Sequence, residues 1–130
     1  MHLTLFLTAL AGALGVIAGA FGAHALKESL TSSDMVSTWN TAVLYHLVHV
    51  PALLAVTLFN ADKTAENSWL SRAGVCWLIG IILFSGSLYG LALGGPRWLG
   101  PVTPLGGVFF IFGWVCTFIF GLKHPKKSKP

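Results

Sequence analysis

The chain consists of four long apolar runs separated by three short polar links. The runs cover about residues 3–25, 38–59, 73–93 and 104–122. Each is about 20 residues long, which is the length an α-helix needs to cross the hydrocarbon core of a bilayer. The pattern predicts an all-α membrane protein, a compact bundle of four transmembrane helices with short links, as a single domain over residues 1–122.

Composition supports a membrane protein rather than a soluble one. Hydrophobic residues make up 55% of the 130-residue chain and charged residues only 9%. A soluble domain of this size needs more polar surface than that. The predicted partners are therefore membrane lipids. We expect no nucleic-acid binding, because the net charge of +4 forms no basic stripe and is concentrated in the tail, residues 123–130.

The distribution of basic residues predicts the orientation in the membrane. Four spans place both termini on one side of the bilayer. Six basic residues lie on that side: Lys63, Arg72, Lys123, Lys126, Lys127 and Lys129. The opposite side has Lys27 and Arg97. Because basic residues are enriched in cytoplasmic segments, both termini are predicted to be cytoplasmic.

Small residues recur at four-residue spacing in the first and third runs. Such a stripe lets two helix backbones approach closely in lipid, where packing replaces the hydrophobic driving force. The predicted helix-packing residues are Ala11, Gly15, Gly19, Ala23, Gly86 and Gly90. Four helices need fewer stripes than this, which favours self-association or docking on a larger membrane complex.

Polar residues from separate segments fall in the same half of the predicted bundle, opposite the termini. They are His24, Lys27, Asn40, Tyr45, His46, His49, Ser85, Ser87, Tyr89 and Arg97, with His49 close to mid-depth. Polar groups in hydrocarbon are costly unless they are paired. These side chains are therefore expected to face the bundle interior or a cavity that opens on the outer side. The inner halves of the runs carry few polar residues.

Four kinds of chemistry fit this outer layer. It could be a hydrogen-bonded layer that fixes the register of the helices, or a site for a small ligand, lipid or quinone head group. It could be a pathway for protons or small solutes, since histidine titrates near neutral pH. Haem or metal ligation by His24, His46 and His49 is the fourth alternative. No carboxylate stands behind the histidines, so no cofactor is expected by default, and haem or quinone is the lesser alternative.

Motifs typical of enzymes are missing from the sequence. It has no glycine-rich phosphate loop, no nucleophile elbow and no His-Glu-x-x-His. The four carboxylates, Glu28, Asp34, Asp62 and Glu66, all lie outside the apolar runs. Enzymatic activity is therefore unsupported. Two functions stay open: a binding, accessory or scaffold protein, and a small-solute or proton transporter. The scarcity of polar residues in the inner halves favours an outer pocket over a continuous path.

Several segments resemble the domain-of-unknown-function family 423, a family of small bacterial membrane proteins similar to the mitochondrial transmembrane protein 256 family. The segments are residues 19–27 (GAFGAHALK), 45–46 (YH), 84–89 (FSGSLY) and 103–107 (TPLGG). The resemblance extends over nearly the whole chain. It implies a multi-pass, four-helix protein of the bacterial inner membrane and no particular activity. Its motif residues include His24, His46, Ser85 and Tyr89.

Overall fold

The computed structural model describes residues 2–60 and 68–123, and this part of the chain is helical with no strand. The elements are α1 (His2–Ala23), α2 (Lys27–Ser32), α3 (Val36–Phe59), α4 (Ser68–Gly80), a π-helical turn (Ile81–Ser85), α5 (Gly86–Ala92) and α6 (Leu99–Lys123). The tail beyond Lys123 and the acidic part of the second link lie outside the described residues.

Four helical segments are long and apolar enough to cross a membrane. They are α1, α3, α6 and the continuous helix Ser68–Ala92, which α4, the π turn and α5 form together. The predicted all-α fold with four transmembrane helices in a compact bundle is confirmed.

The last helix starts earlier than the apolar run from which it was predicted. It begins at Leu99, so Pro104 lies in its second turn rather than its first. Proline has no backbone N–H, and the carbonyl of Gly100, four residues earlier, therefore loses its usual helical donor. Pro104 itself is exposed on the surface of the bundle.

Helix α3 occupies the centre of the bundle. On one side it packs against α1, and on the other it packs against α4, the π turn and α5. Helix α6 packs against α4 and the π turn. Among the long helices in the described part of the chain, α1 packs extensively on α3 and on no other. The space between α1 and α5 is consequently open.

Two groups of apolar side chains form the core. The larger joins α3, α4, the π turn and α6: Leu53, Val56, Leu70, Ala73, Trp77, Ile81 and Phe110. The smaller joins Leu30 of α2 to Trp39 and Ala92. Leu30 is only 2% exposed, so the short helix α2 closes the end of the bundle that carries the first and third links.

Two helix backbones approach closely at Gly106. A Cβ atom added there would lie 2.7 Å from the Cα of Phe84 in the π turn, and nearer still to its backbone nitrogen. No side chain fits in that space. Gly106 therefore fixes where α6 crosses the π turn.

Candidate functional site

His46 of α3 is buried between α1 and α5. Its Nδ1 lies 3.2 Å from the hydroxyl oxygen of Tyr89. Its Nε2 is buried without a hydrogen bond, although the Ala11 carbonyl of α1 lies close to the ring. A carbonyl oxygen only accepts, so the proton belongs on Nε2 and Nδ1 accepts from Tyr89. His46 therefore has one hydrogen-bonded nitrogen, and its Nε2–H is enclosed within the bundle beside the Ala11 carbonyl of α1.

His49, one turn along α3, has both ring nitrogens bonded. Nδ1 donates to the carbonyl of Tyr45 at 2.7 Å, and Nε2 accepts from the indole N–H of Trp114 at 3.2 Å. The ring stacks on Phe110 with centroids 3.8 Å apart and an interplanar angle of 10°. The neutral tautomer is thus determined by its partners, and His49 joins α3 to α6.

The serines of the third span also join helices. Ser85 of the π turn is fully buried and donates to the Ala42 carbonyl of α3 at 2.8 Å. Ser87 lies 2.6 Å from the hydroxyl of Thr103 on α6. Trp39 donates its indole N–H to the Ala18 carbonyl of α1 at 2.9 Å. Every long helix therefore takes part in at least one polar contact at this end of the bundle.

Four of the proposed site residues lie away from these contacts. His24, Lys27, Asn40 and Arg97 are exposed. His24 belongs to the turn after α1 and borders a shallow depression with Lys27, rather than the cavity that His46 lines. Tyr45 is 41% exposed, and its ring packs on Phe84 with centroids 4.5 Å apart.

The three histidines considered as haem or metal ligands occupy three separate environments. His24 is exposed, His46 contacts Tyr89, and His49 contacts Trp114. Over residues 2–60 and 68–123, no three metal-ligating side chains come together. Coordination by His49 would also require breaking one of its two hydrogen bonds. This donor set does not fit a shared haem or metal ion.

A groove of about 680 Å³ lies between α1 and α5, with α3 as its floor. Its walls are apolar and include Leu14, Ile17, Phe21, Ile82 and Leu93. Trp39, His46 and Tyr89 border the floor. No lining side chain is charged. The groove extends along the half of the bundle that carries the first and third links, and it is suited to an uncharged, elongated molecule.

The predicted helix-packing residues divide into two groups. Gly15 and Gly19 face α3, where an added Cβ would meet Leu47 at 2.7 Å and Val43 at 3.4 Å. Ala11 is buried, and Gly90 lies against Leu99 of α6. Ala23 and Gly86, in contrast, are exposed, and an added Cβ at Gly86 would meet nothing closer than 3.9 Å. Gly86 lines the groove instead.

The chain is similar to a family of membrane proteins over most of its length. Residues 18–107 match the family described as Protein of unknown function (DUF423). The chain is 42% identical over 123 residues to a UPF0382 membrane protein of Staphylococcus epidermidis, covering 95% of this chain and 98% of that protein. The chain belongs to the DUF423 family.

Two more distant relatives extend the comparison. The UPF0382 membrane protein YwdK of Bacillus subtilis is 39% identical over 124 residues, covering 95% of this chain and 99% of the relative. The UPF0382 inner membrane protein YgdD of Escherichia coli is 35% identical over 125 residues, covering 95% and 92%. No solved structure matches the chain. This DUF423 chain is a small membrane protein, and lipids surround its apolar faces.

The matched DUF423 region includes the GAFGAH segment, and the structure gives its glycines a local role. Gly22 lies under the indole of Trp39, where a Cβ would clash with the ring. The indole can therefore cross α1 and reach the Ala18 carbonyl. At Gly22 this segment therefore forms a contact between α1 and α3.

Sequence reasoning missed three aromatic contributors to the DUF423 site. Trp114 and Phe110 of α6 hold His49, and the buried Trp77 packs on Trp114 with ring centroids 4.9 Å apart. The available signal was that the indole N–H of a tryptophan inside a membrane span usually finds an acceptor. The inner half also contains a buried contact that was not expected, between the hydroxyls of Thr8 and Thr57 at 3.4 Å.

Proposed function

We propose that this protein is a binding or accessory protein of the bacterial inner membrane that holds an amphiphilic molecule in the groove between α1 and α5. The observation that carries the proposal is the uncharged, apolar groove with the hydrogen-bonded pair His46–Tyr89 at its floor. Apolar pockets with a few polar groups are typical binding sites for small molecules, because the walls bury the ligand and the polar groups orient it.

The chemistry of the groove restricts the class of ligand. The walls carry no charge, so a charged head group would lose its hydration there without gaining a counter-ion. The polar side chains at the floor are uncharged as well: Trp39, His46 and Tyr89. The proposed ligand is therefore a molecule with one apolar chain and an uncharged polar head, such as a ketone, ester or quinone. Its chain would follow Leu14, Ile17 and Ile82.

A transporter is the second candidate, and the hydrogen bonds favour it less. The polar groups that cross between helices are largely bonded to one another, as in the pairs His49–Trp114 and Ser87–Thr103. A conducting path needs polar groups that remain available to the solute along its length. The hydroxyls of Thr8 and Thr57 in the inner half also contact each other.

The accessory role includes contact with other membrane proteins or with a second copy. The small-residue stripe supports self-association less than the sequence suggested, because Gly15 and Gly19 pack against α3 within the same chain. The exposed apolar side chains of α6, such as Ile111 and Phe118, remain available to a partner as well as to lipid. The predicted orientation, with both termini in the cytoplasm, completes the proposal.

Filling the groove tests the ligand-binding proposal. Gly86 lines the groove and has no neighbour within 3.9 Å, so Gly86→Leu narrows the groove without a clash at the Cβ. Protein purified gently from its native membrane is analysed by native mass spectrometry for retained neutral amphiphiles. We expect the wild type to retain one such molecule per chain and Gly86→Leu to lose most of it.

Gly121→Leu is the matched control, because Gly121 of α6 also has open space around it and lies outside the groove. It is expected to retain the molecule as the wild type does. Equal retention by all three proteins, or only bulk phospholipid in the wild type, would overturn the proposal.

A further inference from the structure

Two cationic side chains meet at one aromatic ring at the end of the bundle that carries the termini. The Arg72 guanidinium carbon of α4 lies 4.9 Å from the centre of the Trp69 ring. The Lys123 ammonium, on the last residue of α6, lies 4.7 Å from the same ring. Each cation is attracted by the indole face. The ring thus gathers two positive charges from different helices.

No carboxylate in the described part of the chain can neutralise this pair. The carboxylates among residues 2–60 and 68–123 are Glu28 and Asp34, and both lie at the opposite end of the bundle. The two cations lie less than 10 Å apart, because each is within 5 Å of the same ring centre. They repel each other, although water and salt weaken the repulsion. An anion that contacts both cations would turn this repulsion into attraction.

We infer that Trp69, Arg72 and Lys123 form a binding site for the phosphate of an anionic membrane lipid. Tryptophan, arginine and lysine at the ends of transmembrane helices lie at the depth of the lipid head groups. Basic groups between helices bind anionic head groups there. This site is separate from the groove and does not depend on the function proposed above.

Lipid titration of the full chain in detergent tests the inference. Palmitoyl-oleoyl phosphatidylglycerol and the zwitterionic phosphatidylcholine with the same chains are titrated separately, and bound lipid is measured by native mass spectrometry. The wild type is expected to prefer phosphatidylglycerol. Arg72→Gln and Lys123→Gln should each weaken phosphatidylglycerol binding about fivefold, corresponding to about 1 kcal/mol per charge. Phosphatidylcholine binding should not change.

Two controls separate a defined site from general electrostatics. Lys126→Gln removes the same charge from the same end of the chain, and Arg97→Gln removes a charge from the opposite end. We expect losses of less than about twofold for both, as for charges screened by salt. Equal losses in Lys123→Gln and Lys126→Gln would overturn the site. Arg72, Lys123 and Arg97 are exposed. Unchanged thermal unfolding verifies that all variants fold.

Two further results would also overturn the inference. Displacement of phosphatidylglycerol from the wild type by millimolar inorganic phosphate would identify a site for free phosphate instead of lipid. Loss of the Arg72→Gln and Lys123→Gln effects in an Asp62→Asn, Glu66→Gln background would show that the cations pair with carboxylates of the second link. Retention of the effects in that background supports the lipid site.

Discussion

At the scale of residues, the protein is organised by polar side chains that join helices inside an apolar bundle. His49 illustrates this best, because its two nitrogens satisfy a carbonyl on its own helix and an indole on α6. His46 differs, since only one of its nitrogens is bonded. Two histidines three residues apart therefore join different helices: His49 connects α3 to α6, and His46 connects α3 to Tyr89 of α5.

Replacing His49 tests the structural role directly. His49→Leu leaves the Tyr45 carbonyl without its side-chain donor and the Trp114 indole N–H without an acceptor. We expect the free energy of unfolding to fall by about 1–3 kcal/mol, the cost of an orphaned buried partner. The measurement is reversible unfolding in detergent.

His24→Leu is the matched control for this experiment. His24 is exposed in the turn after α1, so the change in stability is expected to stay within about 0.5 kcal/mol. A loss for His24→Leu as large as that for His49→Leu would contradict the structural assignment of the two histidines.

The sequence placed these polar residues at one depth but could not name their partners. His46 and Tyr89 are 43 residues apart, and His49 and Trp114 are 65 apart. Such pairs are formed by packing between helices. Hydropathy and residue spacing within one span carry no information about which residues of another span will be neighbours. For the same reason the exposed His24 could not be separated from the buried histidines before the fold was known.

At the scale of elements, the π turn and the glycines determine how the helices pack. Hydropathy and length were sufficient to predict four spans. The direction in which a glycine faces was not predictable, because it depends on the rotation of each helix. Gly15 and Gly19 face α3, whereas Gly86 faces the groove. The π turn at Ile81–Ser85 was also not predictable, because it lies inside an apolar run and no residue pattern marks it.

The crossing of α6 over the π turn gives a prediction about packing. Gly106→Val would force side-chain atoms into the backbone of Phe84. Overpacking of this kind is expected to lower the free energy of unfolding by about 1–3 kcal/mol. Gly121→Val, in open space on the same helix, should change stability by less than about 0.5 kcal/mol. Chemical or thermal unfolding in detergent measures both, and equal stabilities would show that the close approach is absent.

At the scale of the whole molecule, the helices are packed more closely on one side of the bundle than on the other. Helix α1 is attached mainly to α3, which leaves a groove on one side, while α6 packs closely on α4 and the π turn. The two ends of the bundle also differ. One carries the groove and the cap formed by α2, and the other carries the basic cluster around Trp69. The molecule is therefore expected to adopt one orientation in the membrane.

Reporter fusions measure that orientation. The excess of basic residues at the terminal end predicts that this end is cytoplasmic. A fluorescent protein fused after Pro130 should be fluorescent, and alkaline phosphatase fused there should be inactive. Alkaline phosphatase inserted in the third link, at Gly95, should be active. The reverse pattern would place the groove in the cytoplasmic half and contradict the proposed orientation.

The central claim is that a neutral amphiphile occupies the groove between α1 and α5, and photo-crosslinking in native membranes tests it most directly. The probe is a long-chain ketone with a diazirine in its chain, and labelled peptides are identified by mass spectrometry. The account predicts labels concentrated on Leu14, Ile17, Ile82 and Leu93, and reduced there in Gly86→Leu. The claim would be contradicted if the labels were spread evenly over all lipid-facing surfaces, including Phe118 of α6, and if Gly86→Leu did not change them.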